Sequence, residues 1–78
     1  MNEKNINWIV SATEDRLSYS HIQFSESMRN ELMKTVSAFS DEDFKNVTDD
    51  LTNAIYNKLL EFGVPDITAY RCSWKWSD

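Results

Sequence analysis

The chain has 78 residues, with thirteen Asp and Glu against eight Lys and Arg, a formal charge of −5 and a pI near 4.7. That length holds one domain, residues 1–78, and a chain without clustered Lys and Arg lacks the usual means of gripping a phosphate backbone. One cysteine forms no disulfide within the chain, which fits a reducing compartment, and no apolar run approaches the ~18 residues of a membrane span. The expectation is a soluble cytoplasmic protein with neither membrane nor direct nucleic-acid contacts. The N-terminal stretch MNEKNINWIVSATED has no signal-peptide core.

Taken in chain order, Ile6–Thr13 alternates, with Ile6, Trp8, Val10 and Ala12 on one face, the period of a strand. Glu14–Arg16 is a polar connection, and Leu17–Phe24 resumes as a second strand, so the two predict a hairpin. Its turn carries neither Asn-Gly nor Asp-Gly. The second strand is two-faced: Leu17, Tyr19 and His21 share one side, Ile22 and Phe24 the other. A bulge, or an exposed apolar set, would be needed to reconcile them.

Ser25 is a good N-cap, and Glu26 suits the positive end of a helix dipole. Met28, Leu32, Val36 and Phe39 then form one stripe of a short amphipathic helix. Ser40 and Asp43 match a capping box, and Phe44, Val47, Leu51, Ala54, Ile55, Leu59 and Phe62 continue as a stripe to Gly63, a natural residue just past a helix end. The spacing predicts one helix of about 22 residues, roughly 33 Å long. After Val64-Pro65-Asp66 the chain turns, and Ile67–Trp76 reads as strand three. The order β-β-α-α-β predicts an α+β two-layer sandwich, a three-stranded, largely antiparallel sheet with two helices on one face.

Chemistry is scarce. In strand three Thr68, Tyr70, Cys72, Trp74 and Trp76 share the inner face, which makes Tyr70, Cys72 and Trp74 core residues and leaves Trp76 as a lid or an interface anchor. A Cys–His nucleophile pair would have to use Cys72 and His21, and Arg71, the adjacent cation, points to the other face. One cysteine and one histidine give no zinc motif, and one glycine gives no phosphate loop. No catalytic residue, metal or cofactor is expected. Asn46-Val47-Thr48 matches a glycosylation acceptor but falls within the expected helix.

Two functions follow. The first is a non-enzymatic protein-binding or inhibitory module that acts through an exposed sheet edge with Trp76, Ile22 and Phe24. It would bind another protein or pair with itself as a homodimer, and it has the size and charge of phage or mobile-element regulators of host proteins. The second is an acidic nucleic-acid mimic, with Glu42, Asp49, Asp50 and Glu61 forming a strip that imitates phosphates for a nucleic-acid-binding protein.

Overall fold

The computed structural model describes residues 1–74, and they form five helices with no strand among the described residues: α1 (Glu3–Tyr19), α2 (Glu26–Ser37), α3 (Asp41–Asn46), α4 (Asp49–Glu61) and α5 (Asp66–Cys72). The expected α+β sandwich is therefore incorrect, and so is the sheet edge on which its binding mode rested. The expected strand Ile67–Trp76 is α5 and its C-terminal turn as far as Trp74.

The expected hairpin is a single helix. Asn2 caps α1, its side chain accepting from the Asn5 N–H at 2.8 Å, and Glu3 stands in the first turn. The buried face runs Ile9, Val10, Thr13 and Leu17, a helical spacing, while Trp8 stays 55% exposed. A polar residue hid that stripe. Thr13 is fully buried because its hydroxyl donates back to the Ile9 carbonyl at 2.8 Å, within the same helix. Glu14 and Asp15, read as a connection, lie outside that stripe.

The two-faced segment Leu17–Phe24 is explained by the end of α1. The Ile22 N–H donates to the Leu17 carbonyl and the His21 N–H to that of Ser18, both at 3.0 Å. His21, at φ 61°, occupies the left-handed position of a Schellman motif. Ile22 thus folds back over the last turn instead of extending past it, and Ile22 and Phe24 pack partly buried against the core.

Helix α2 follows expectation, with Ser25 accepting from the Met28 N–H and Met28, Leu32 and Val36 buried. The expected long helix is two. Ser40 and Asp43 make the capping box of α3, and Gly63, at φ +87°, follows the end of α4, both as the sequence implies. Between them the chain breaks at Val47, φ 48°, and restarts with Thr48 as the α4 N-cap. The Thr48 hydroxyl donates to Asp43 at 3.1 Å and accepts from the Leu51 N–H at 3.4 Å, so a second cap lies within the apparently continuous stripe.

α4 packs on α2 and α5, and α1 also packs on both of these helices. One core joins Ile9, Val10 and Leu17 to Leu32 and Val36, Leu51, Ile55 and Leu59, and Ala69 and Cys72. The N-terminal segment is tied across the fold: the Met1 amino group donates to the Phe39 carbonyl at 2.6 Å and the Asn2 N–H to Asp41 at 2.7 Å. No described helix is long and apolar enough to cross a membrane.

Candidate functional site

Trp8 leaves α1 on a line of positions two turns long that ends at Arg16, and Trp74 lies between them. Phe44 meets Trp8 edge-to-face at 5.7 Å and 82°, and Trp8 meets Trp74 at 6.0 Å with the rings tilted by 34°. The Arg16 guanidinium covers Trp74 at 4.1 Å. These contacts make an ordered row from Phe44 through Trp8 and Trp74 to Arg16, anchored in three helical regions of the chain.

Behind this row opens a cleft of about 140 Å³, lined by Trp8, Ile9, Phe44, Val47, Leu51, Thr52, Ile55 and Trp74. Its wall is almost wholly carbon. The single polar side chain of aliphatic size, Thr52, already donates its hydroxyl to the Asp49 carbonyl at 3.1 Å. Two of the lining residues, Val47 at φ 48° and Trp74 at φ 66°, hold left-handed backbone. A β-branched or bulky residue there is strained, and such strain concentrates at functional sites. The strain exists because Val47 must reverse the chain between two capped helices, and because Trp74 stands just past the end of α5.

The sequence-predicted residues fall elsewhere. Trp76 lies outside the described residues. Ile22 and Phe24 are part of the core margin, and the Arg29 guanidinium lies 5.5 Å over the Phe24 ring. Glu42, Asp49 and Asp50 are exposed near the α3–α4 junction. Glu61 is at the opposite end of α4, about 18 Å along the helix from Asp49, where it pairs with Lys58 at 3.4 Å. The acidic residues thus make a local patch at the junction, with Glu61 apart from it.

Cys72 is buried, and burial pushes its thiol pKa up against a smaller opposing pull from Arg16, so the thiol is held in the protonated form. His21 is exposed at the end of α1. Tyr56 donates its hydroxyl to Asp66, and that hydrogen bond raises the phenol pKa. Among the described residues no group of three or more His, Cys, Asp or Glu is placed to hold a metal ion.

Sequence reasoning missed Trp8 and Phe44 as site residues because it assigned both to buried faces. The available signal was Trp8 itself, which lies beside the helical stripe Ile9, Val10, Thr13 and Leu17 and not on it. Comparison of the chain with protein-family models, with curated proteins and with solved structures returns no match in any of the three.

Proposed function

We propose that the chain is a small non-enzymatic module that binds, and thereby inhibits or regulates, another protein through the aromatic cleft. The observation that carries this reading is Trp8, 55% exposed yet held by rings on both sides at the mouth of an apolar cleft. Pre-positioned tryptophans and arginines are the side chains that dominate protein interfaces, because they bring large contact area at little entropic cost. Arg16, stacked on Trp74, extends the same surface. The acidic-mimic reading is less favoured, since Glu61 stands apart from the junction carboxylates.

The test is affinity capture from host lysate with the full tagged chain, washed at high salt, beside Trp8→Ala and an exposed control on α4, Asn57→Ala. The expected result is one protein retained by the wild type and by Asn57→Ala, and lost by Trp8→Ala with circular dichroism unchanged. Retention by a folded Trp8→Ala chain equal to that of the wild type would overturn the proposal.

A further inference from the structure

Resting on that reading, we infer what the cleft admits: one apolar side chain of leucine, methionine or phenylalanine size, carried on a partner segment with Lys or Arg beside it. Three observations lead there. The first is volume. A cavity of about 150 Å³ lined by aliphatic and aromatic side chains takes one benzene, whereas cofactor and drug-sized ligands occupy roughly 300–1,000 Å³. At about 140 Å³ this cleft holds one side chain and no more.

The second is chemistry of the wall. With its lining almost entirely carbon and the Thr52 hydroxyl proton already donated, the cleft offers nothing to a polar group that enters it. An amide of leucine shape would lose its water and gain no partner, a penalty of at least about tenfold in affinity.

The third is the charge around the mouth. Residues 41–50 carry five carboxylates against one lysine, and they include the lining residues Phe44 and Val47. Asp41 precedes Phe44 by one turn and Asp49 precedes Thr52 by one turn. Asp41 accepts from the Asn2 N–H and the Asn5 amide, and Asp43 from the Ser40 N–H, bonds made to the ionised form. The Arg16 guanidinium lies at the far end, over Trp74. The field therefore runs from negative at the α3–α4 junction to positive at Trp74. A basic group on the partner belongs at the junction end.

The experiment is a titration of the ¹⁵N-labelled full chain, followed at the Trp8 indole and at the Val47 and Thr52 amides. The probes are benzene and three blocked pentapeptides: Lys-Lys-Leu-Lys-Lys, the same peptide with Asn in place of Leu, and the same with Glu in place of every Lys. The leucine–lysine peptide and benzene are expected to shift these signals saturably, and Trp8→Ala is expected to abolish the shifts at the two amides. The asparagine peptide should bind at least about tenfold more weakly. The glutamate peptide should also bind more weakly, with the gap closing as salt rises. If leucine and asparagine peptides bind alike, or lysine and glutamate peptides bind alike, the inference is overturned while the cleft remains a contact surface. A response to benzene with none to any peptide also overturns it. If neither benzene nor any peptide moves Trp8, the inference and the binding reading beneath it both fail.

Discussion

The guanidinium of Arg16 lies 4.1 Å from the centre of the Trp74 ring while its Nη1 donates to the Arg71 carbonyl at 3.4 Å. One side chain of α1 thus holds both the last turn of α5 and the residue that follows it. A cation–π contact at a partly exposed site contributes about 0.5–1 kcal/mol. Arg16→Ala is expected to lower the melting temperature by roughly 2–8 °C for a domain of this size. It should also weaken the near-UV circular dichroism of the Trp8–Trp74 pair. Arg16→Lys keeps the charge without the planar stacking group and should fall between the two. An unchanged near-UV spectrum in Arg16→Ala would show that Trp74 is positioned by something else.

Val47 is the second point of leverage. Left-handed backbone costs a residue with a branched Cβ about 1–2 kcal/mol, a cost that asparagine largely escapes. Because Val47 is 39% exposed, its replacement loses little burial. Val47→Asn is therefore expected to raise stability by about 1 kcal/mol, read as a higher urea midpoint at constant slope. It should also weaken capture of an apolar partner, because the side chain lines the cleft. A lower midpoint would mean that the junction does not hold a left-handed residue in solution.

Thr13 and Ile55 separate polar from apolar burial in the same core. Ile55 is 1% exposed, and Ile55→Ala should cost about 2–5 kcal/mol. That is a large share of the roughly 4–12 kcal/mol available to a chain of this length, so part of the population should be unfolded at 37 °C. Thr13→Val removes a hydroxyl whose acceptor, the Ile9 carbonyl, lies one turn back in the same helix. No donor is left unpaired, so this change should stay within about 1 kcal/mol of wild type. Chemical denaturation of both variants checks the pair. A large loss in Thr13→Val would place that hydroxyl in a different role.

The pH dependence has a definite sign. Asp41 is held below the usual carboxylate range chiefly by the Asn2 N–H, and Asp43 by the Ser40 N–H. A carboxyl whose folded pKa is depressed adds stability above its unfolded pKa and loses it as pH falls through the folded value. Urea midpoints should hold steady from neutral pH to about pH 5 and fall below about pH 4. Asp41→Asn and Asp43→Asn should each flatten that fall. Because Asp41 ties the N-terminal segment to α3, its variant should also speed amide exchange at Asn2 and Asn5.

The local signals at the helix boundaries were legible in the sequence: Ser25 before α2, Ser40 with Asp43 before α3, and Gly63 after α4. Each is a short-range hydrogen-bonding or φ requirement, met by atoms within four or five residues. The first 24 residues were misread because an eight-residue window cannot separate alternation from a helical stripe when a buried threonine stands among the apolar residues. Ile6, Trp8, Val10 and Ala12 alternate perfectly well on paper. In the folded chain Ile9, Thr13 and Leu17 decide the period, since the turns of α1 must present one face to α2 and α5. The break at Val47 was hidden for the opposite reason, because Phe44, Val47 and Leu51 keep helical spacing across a junction where the backbone does not.

The sequence by itself determined a single acidic domain, its capping residues and most of the apolar positions that fill its core. Only the tertiary structure decided that Trp8, Phe44 and Trp74 meet, since they belong to segments 36 and 30 residues apart in the chain. Their contact depends on the packing angles of α1, α4 and α5 and on the reversal at Val47. Those angles follow from how whole faces interlock, and no window of sequence contains them.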